Sequence, residues 1–332
     1  MSRVVSRYTG VINPRENQTF SLPDGRILGY AEYGYPNGFP VFSFHGFPSS
    51  RLETFPVDKL AYRRRIRIIA LDRPGFGLSS FQPHRRITDW PADVEAFARH
   101  NGIQRFAVFG VSGGGPYALA CAHALPLQML SAVGVFAGAP PWRAGRQHMP
   151  WYGRLSAWAA TYWPTAFGVV TNSLIGVLRW IATTAPVTRW IDRFLETATK
   201  ARKERKSPTA EDELGLIEDE ERTIATRRER LLRLGFEGFA QGSEAFVQEA
   251  KLLSDDDWGF EFEDIKYNPI RIWHGSRDVN APIQMIRYMA DRLPHSILTE
   301  FDETHFTMAK YLDQAFSELI PEEELKKYSG SV

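Results

Sequence analysis

The chain has a single cysteine, almost no net charge and no segment of low complexity. Because Cys121 stands alone, the sequence excludes an internal disulfide and any zinc site built from cysteines. Lys and Arg number 40 against 39 Asp and Glu, and a net charge of +1 lacks the basic footprint typical of nucleic-acid binders. Hydrophobic residues make up 43% and charged residues 24%, which excludes a largely disordered chain. The 332 residues suit one enlarged α/β domain or two ordinary domains.

Recognisable targeting signals are also missing. The first residues lack the long apolar core of a secretory signal. The last four residues match neither a prenylation box nor a peroxisomal tripeptide. We therefore expect a cytoplasmic protein.

Residues 155–178 contain no charged side chain, and this stretch is long enough to span a bilayer. Pro164 and several polar residues interrupt it, which favours two consecutive buried or cleft-lining helices. We expect no integral membrane span, and a peripheral membrane contact stays open.

Short apolar runs separated by helix-length segments dominate the rest of the chain. Residues 19–22 and 27–31 flank Asp24-Gly25, which predicts an antiparallel hairpin at the start of the fold. The six later runs are residues 41–44, 66–71, 106–111, 132–136, 270–273 and 297–301. Nearly continuous apolar strands of this kind indicate a parallel sheet covered by helices on both faces.

The alternation stops after residue 139 and resumes near residue 268. We predict a helical insertion over 140–245 and an α/β core formed by 1–139 and 246–332. The middle of the insertion, 200–233, is rich in charges of both signs, and Ser207-Pro208 is typical of a helix start. Its first part is rich in tryptophan and tyrosine, which either line an apolar pocket or pack a small core within the insertion.

The sequence G-V-S-G-G at residues 110–114 carries the strongest chemical signal. It follows the predicted strand 106–111 and precedes a helical pattern, which is the context of a nucleophile elbow. A serine on such a sharp turn leaves no room for side chains two positions away, so Gly110 and Gly114 keep Ser112 exposed. The alternative is a glycine-rich turn with an incidental serine.

A serine nucleophile needs a base and a carboxylate that orients the base. Asp278 follows the strand 270–273 and His305 follows the strand 297–301, in the order acid and then histidine. The alternatives are a turn aspartate and an ordinary loop histidine. His274, on the strand that leads to Asp278, is interpreted as structural.

Acyl transfer also needs hydrogen-bond donors for the oxyanion of the tetrahedral intermediate. The backbone N–H of Gly113, directly after the nucleophile, is one candidate. The loop after the third strand carries His45, Gly46 and Phe47, and we predict that the Phe47 N–H is the second donor. Pro48 lacks an N–H and restricts the turn. Gly110, Gly114, His45 and Gly46 are then the residues that support the elbow and this loop.

Together these motifs resemble the α/β-hydrolase fold superfamily, in its serine-nucleophile branch with a helical cap, over roughly residues 20–325. The segment D-R-P-G-F-G-L-S at residues 72–79 resembles a loop that is chiefly structural in this family. Glu303 and Thr304 depart from the pattern, since related sequences often have glycine just before the histidine. The resemblance implies a mostly parallel eight-stranded sheet flanked by helices, with the cap, or lid, inserted after strand six.

The resemblance also implies an enzyme, a hydrolase with a Ser112–His305–Asp278 catalytic triad, an oxyanion hole and an acyl-enzyme. Relatives that proceed through an alkyl-enzyme use aspartate at the elbow, so Ser112 argues against that chemistry. We expect a serine esterase that cleaves a carboxylic ester of a small apolar or aromatic substrate. Lactone, thioester or C–C bond hydrolysis, acyl transfer, perhydrolysis and ligand binding without catalysis stay open, as does the oligomeric state. We expect no cofactor, no metal and no nucleic-acid partner.

Overall fold

The computed structural model describes residues 14–204, 223–326 and 328. Its centre is an eight-stranded sheet with the strand order β1-β2-β4-β3-β5-β6-β7-β8. The strands are β1 Gln18–Ser21, β2 Ile27–Gly34, β3 Phe39–Phe44, β4 Ile66–Leu71, β5 Phe106–Val111, β6 Leu130–Phe136, β7 Ile270–Gly275 and β8 Ser296–Phe301.

Among the strands of the described residues, β2 runs opposite to the other seven. The β1–β2 and β2–β4 pairs are antiparallel, and the pairs from β4 through β8 are parallel. This confirms the predicted hairpin and the mostly parallel sheet. Some strands are longer than predicted, because pairing with a neighbour sets their ends: Phe39 pairs with Ile66, and Gly275 pairs with Phe301.

Helices cover both faces of the sheet. In chain order they are α1 Asp58–Arg63, α2 Trp90–His100, α3 Gly115–Ala124, α4 Trp151–Tyr162, α5 Pro164–Ala182, α6 Ala185–Glu204, α7 Ile224–Phe236, α8 Glu244–Ser254, α9 Ile283–Arg292, α10 Leu312–Leu319 and α11 Glu322–Lys326. One core cluster joins α2, α3 and α9 to one side of the strands, and a second joins α1 and α10 to the other. The two clusters use alternate residues of the same strands, as a sheet buried on both faces requires.

Helices α4 to α8 lie between β6 and β7. Helices α4 to α7 fall within the predicted insertion, 140–245, whereas α8 lies almost entirely in the segment 246–332 that is predicted as core. The predicted helix start at Ser207-Pro208 lies outside the described residues. Pro164 is the first residue of α5, so the uncharged stretch forms two helices as predicted. The expectation of buried or cleft-lining helices fits α4, in which Ala160 is buried and Gly153, Ser156 and Ala157 line the cavity described below. It does not fit α5, of which only Thr171 and Ala182 are buried and no residue lines that cavity. Apolar composition predicted the helices, but it could not tell whether the rest of the chain covers them.

Helix α5 is also long and apolar enough, by length and composition alone, to cross a membrane. Over an 18-residue window of α5 the mean hydropathy is 1.3, and 6% of the residues in that window are buried.

Candidate active site

Ser112 lies on the sharp turn between β5 and α3. Its φ is +49°, a left-handed conformation that non-glycine residues rarely adopt. A Cβ at position 110 would lie 2.4 Å from the Gly114 carbonyl oxygen, and one at position 114 would lie 2.1 Å from the Phe44 carbonyl oxygen. The two glycines are therefore required by close backbone approaches, and not, as the sequence suggested, by contact with the serine side chain.

His305 and Asp278 meet Ser112 at the carboxyl ends of the parallel strands. His305 Nε2 lies 3.1 Å from Ser112 Oγ, and His305 Nδ1 lies 2.6 Å from Asp278 Oδ2. The other carboxylate oxygen, Oδ1, accepts the N–H groups of Asn280 and Ala281 at 2.8 and 2.9 Å. With Nδ1 donating to the carboxylate, Nε2 is free to accept the hydroxyl proton.

His274 packs beneath this arrangement. It is fully buried, and its Nε2 donates to the Ala281 carbonyl oxygen at 2.8 Å. Burial lowers the pKa of His274, which keeps the ring neutral. The ring therefore helps to fix the backbone that donates to Asp278.

The loop that presents His305 accommodates Glu303 and Thr304. Thr304 N–H donates to Thr307 Oγ1 at 2.9 Å, Glu303 N–H donates to the Phe301 carbonyl oxygen at 2.8 Å, and the Glu303 carboxylate pairs with Lys310. These local bonds hold the loop without the glycine that is often found in related sequences.

The two predicted oxyanion donors lie side by side. A Cβ at position 113 would lie 3.2 Å from the Phe47 backbone nitrogen and 2.7 Å from the Phe47 Cβ. The absence of a side chain at Gly113 therefore lets the Phe47 amide approach the amide that follows Ser112. Within the described part of the chain, the Phe47 N–H donates to no other backbone group.

His45 and Gly46 support this loop through the buried Arg73. His45 Nε2 accepts the Arg73 backbone N–H at 3.1 Å, and its Nδ1 donates to the Gly46 carbonyl oxygen at 2.8 Å. The Arg73 guanidinium donates to the carbonyl oxygens of His45 and Gly46, the latter at 2.9 Å. Burial and the adjacent Arg73 hold the pKa of His45 well below its usual range, so the ring is neutral and acts structurally.

Glu53 is a site residue that the sequence reasoning missed. Its Oε2 accepts the Gly46 N–H at 2.5 Å, and its side chain lines the cavity next to Ser112. A Cβ at position 46 would lie 3.0 Å from Glu53 Oε1 and 3.3 Å from the Ser112 Cβ, which shows how close the two side chains are. The side chain is exposed to the cavity, but the protein around it desolvates the carboxylate and raises the pKa of Glu53; the Gly46 N–H and the Arg73 charge offset this only in part. In the sequence, Glu53 resembles any acidic residue in the first turn of a short helix.

Glu249 on α8 was also missed. Its carboxylate accepts from Arg73 Nε at 2.8 Å and from the Tyr117 hydroxyl at 2.7 Å, and it pairs with Arg85. Burial opposes ionisation, but Arg73, Arg85 and Tyr117 outweigh it and hold the pKa of Glu249 below its usual value. A charge on α8 thus fixes the guanidinium that binds the carbonyl oxygens of His45 and Gly46.

A cavity of about 740 Å³ opens over Ser112 and His305. Apolar side chains from the core and from the insertion dominate its wall, among them Phe47, Trp142, Met149, Phe246, Leu253 and Phe306. Within the described ranges, no group of three or more His, Cys, Asp or Glu residues could hold a metal ion.

The tryptophans in the first part of the insertion are predicted either to line an apolar pocket or to pack a small core. As a group they do neither. Trp142 is buried and lines the cavity. Trp151, Trp158 and Trp163 are 69%, 50% and 61% exposed, so they neither line the cavity nor pack a core.

The chain matches the sequence model of a family described as alpha/beta hydrolase fold over residues 40–309. Among solved structures, it is similar to an esterase from Exiguobacterium antarcticum (TM-score 0.57, 17% identity, 95% of this chain and 100% of that one). It is also similar to an enol-lactonase from Burkholderia xenovorans LB400 (TM-score 0.55, 16% identity, covering 95% of this chain and 100% of that one). At these identities the likeness concerns the fold.

Curated relatives are named proline iminopeptidase. One from Xylella fastidiosa (strain 9a5c) is 35% identical over 38% of this chain and 41% of its own length. One from Xanthomonas citri is 34% identical over 33% of this chain and 36% of its own length. The chain thus matches about two fifths of the length of these relatives.

Proposed function

Because the chain belongs to the α/β-hydrolase fold family, we propose that it is a serine hydrolase that cleaves a carboxylic ester of a small apolar or aromatic substrate. The observation that carries the proposal is the chain of hydrogen bonds Ser112–His305–Asp278, with distances of 3.1 and 2.6 Å, at the floor of an apolar cavity.

In the proposed cycle, Ser112 Oγ attacks the ester carbonyl carbon while His305 Nε2 takes the hydroxyl proton. The carbonyl oxygen becomes an oxyanion that accepts the N–H groups of Phe47 and Gly113. His305 then returns the proton to the leaving alcohol, and an acyl-enzyme remains. Water, deprotonated by His305, releases the acid and restores the serine. Asp278 keeps the imidazole in the required tautomer and stabilises its cation.

The substrate class is supported by the cavity wall. Its apolar side chains would bind an aliphatic or aromatic group through burial of apolar surface. Residues 140–245 act in this proposal as a cap, since Trp142 and Met149 contribute to the wall above the nucleophile. A small molecule is then the partner of the site.

A second candidate is an aminopeptidase that removes an N-terminal residue. Two observations favour it: the curated relatives named proline iminopeptidase, and the Glu53 carboxylate that lines the cavity beside Ser112. A carboxylate in that position could pair with the cationic amine of a peptide N-terminus.

A fluorophosphonate probe tests the nucleophile. We expect the folded protein to be labelled and Ser112→Ala not to be labelled, because the probe reacts only with an activated serine. His305→Ala should slow labelling by about three orders of magnitude. Ser131→Ala is the matched control and should label like the wild type. Equal labelling of Ser112→Ala, or no labelling of folded wild-type protein, would contradict the proposal.

A substrate panel separates the two candidates. It should contain aryl esters of graded acyl length, lactones, thioesters and an N-terminal prolyl arylamide. Turnover of neutral apolar esters with a higher kcat/KM than the arylamide supports the esterase. The reverse order supports the aminopeptidase.

A further inference from the structure

The outward sides of α4, α5 and the first half of α6 form an exposed apolar surface, which we call the cap face (residues 151–194). On α5 it includes Val170, Leu174, Val177 and Ile181, which recur at helical spacing on one side. Leu174 and Val177 are 56% and 52% exposed. The outward side of a helix in a water-facing protein is normally polar, so this arrangement is inverted.

The other side of α5 is fixed to the protein. Ser243 Oγ donates to the Gly168 carbonyl oxygen at 2.8 Å, and Arg179 donates to the carbonyl oxygens of Phe236 and Phe239 at 3.1 and 2.9 Å. Phe167 also packs on Phe246, with ring centroids 5.6 Å apart. A bilayer-spanning α5 would have to break these contacts, whereas a helix lying along a surface keeps them.

Aromatic residues flank the aliphatic stripe. Trp158 and Trp163 lie in contact at the junction of α4 and α5, Trp180 lies near the end of α5, and Trp190 stacks on Phe194 in α6. Trp163, Trp180 and Trp190 are each more than 60% exposed. Indole rings prefer the boundary between lipid headgroups and acyl chains, and aliphatic side chains between them enter the acyl layer.

The charge of the cap face selects the kind of lipid. The sequence has no Asp or Glu from residue 96 to residue 191, a range that includes all of α4 and α5. Arg154, Arg189 and Arg193 are exposed on α4 and α6, while Asp192 is paired with Arg228. Anionic headgroups complement such a surface.

Helix α4 also connects the cap face to the cavity. Gly153, Ser156 and Ala157 line the cavity, while Leu155 and Trp158 on the same helix are exposed. An apolar compound that partitions into lipid would therefore be held one helix away from Ser112.

We propose that the cap face docks onto a bilayer that contains anionic lipid, with α5 lying in the plane of the headgroup boundary. The proposal does not depend on the reaction that the site catalyses. It places the cavity next to the membrane, and it commits to a lipid surface as the occupant of the cap face.

Flotation with vesicles tests the proposal. We expect the wild-type chain to float with vesicles of phosphatidylglycerol and phosphatidylcholine, and to bind pure phosphatidylcholine vesicles roughly tenfold less. Leu174→Asp should lower the bound fraction on anionic vesicles by about tenfold or more, because it places a charge among the acyl chains. Leu127→Asp is the matched control and should bind like the wild type, because Leu127 is 49% exposed but lies between α3 and β6, outside the cap face.

Five further measurements keep the result interpretable. Tryptophan emission should shift to shorter wavelength when anionic vesicles are added to the wild type, and added salt should weaken binding. Thermal unfolding and fluorophosphonate labelling in vesicle-free buffer should be the same for Leu174→Asp and the wild type, which separates lost docking from lost folding. Carbonate at high pH should release the bound protein.

The proposal is overturned if the wild type stays unbound to anionic vesicles or if Leu174→Asp binds as well as the wild type. It is also overturned if bound protein resists carbonate, which would indicate a spanning helix. A dimer that forms without lipid and that Leu174→Asp dissociates would assign the cap face to a second copy of the chain.

Discussion

At the scale of single residues, Glu53 places a carboxylate in the cavity wall beside the loop that is predicted to bind the oxyanion. It fixes the Gly46 N–H, and its charge faces the same space as Ser112. The protein around the cavity desolvates the carboxylate and raises the pKa of Glu53, so a cationic partner in the cavity would stabilise its charged form. A cationic group on the substrate would supply that partner.

Glu53→Gln should therefore change selectivity more than general activity. The amide keeps an oxygen that can accept the Gly46 N–H but carries no charge. We expect kcat/KM for an aryl ester with an ammonium group next to the carbonyl to fall about tenfold or more, which corresponds to loss of a charge-assisted bond. The neutral isosteric ester should change by less than about threefold.

Glu261→Gln, on an exposed ion pair with Arg143, is the control and should leave both substrates unchanged. An equal fall for both esters would indicate that Glu53 acts only by shaping the loop.

At the scale of elements, the turn between β5 and α3 packs closely against the end of β3. The approach is so close that position 114 has no room for a side chain. The positive φ of Ser112 is a strained conformation, and the backbone contacts of Gly110 and Gly114 hold it in place. The spacing of the glycines was readable from the sequence, but the Phe44 carbonyl that requires Gly114 comes from another strand.

Gly114→Ala should destabilise the protein and misplace the nucleophile. The new Cβ would lie 2.1 Å from the Phe44 carbonyl oxygen and 3.0 Å from that of His45, so the backbone must shift. We expect the free energy of unfolding in urea to fall by about 1–3 kcal/mol or more and fluorophosphonate labelling to slow markedly.

Gly176→Ala is the matched control. Position 176 lies within α5, and nothing lies within 4 Å of a Cβ there. This change should raise the free energy of unfolding by about 0.5–1 kcal/mol and leave labelling unchanged. If Gly114→Ala were as stable and as reactive as Gly176→Ala, the close approach at the elbow would be wrong.

At the scale of the whole molecule, the buried pair of Arg73 and Glu249 joins the two parts of the chain that flank the insertion. Arg73 follows β4, Glu249 lies on α8, and the two residues are 176 positions apart. Arg85 and Tyr117 complete the set of partners, so both oxygens of the fully buried carboxylate accept hydrogen bonds.

Glu249→Gln should lower the free energy of unfolding at pH 7 by about 3–5 kcal/mol, because it leaves two buried guanidinium groups with a neutral partner. The folded-state pKa of Glu249 lies below 4.5, its ordinary value. The stabilisation is therefore fully present above about pH 4.5 and is lost as the pH falls through the folded-state pKa. Urea unfolding of both proteins over a pH series should show the difference shrinking below pH 4.5.

Glu263→Gln breaks an exposed pair with Arg292 and should cost less than about 1 kcal/mol at pH 7. A cost for Glu249→Gln no larger than this control would mean that the buried cluster does not join the two parts of the chain.

What the sequence by itself determined is local in character. Strands appear as apolar runs, the elbow as two glycines around Ser112, and the acid and base as polar residues that follow strands. The family and the mostly parallel sheet predicted in this way are confirmed. The structure brings Ser112, His305 and Asp278 together, while their catalytic roles stay a proposal.

Only the tertiary structure decided which distant groups meet and which surfaces stay uncovered. Glu53 and Glu249 look like ordinary acidic residues until the chain folds and places them beside Gly46 and Arg73. The apolar stretch of α5 looks like a buried helix until its outward side is found exposed among the residues that the structure describes. Local patterns record the conformation that a segment prefers, but contact and exposure depend on residues far away in the chain, which no local pattern contains.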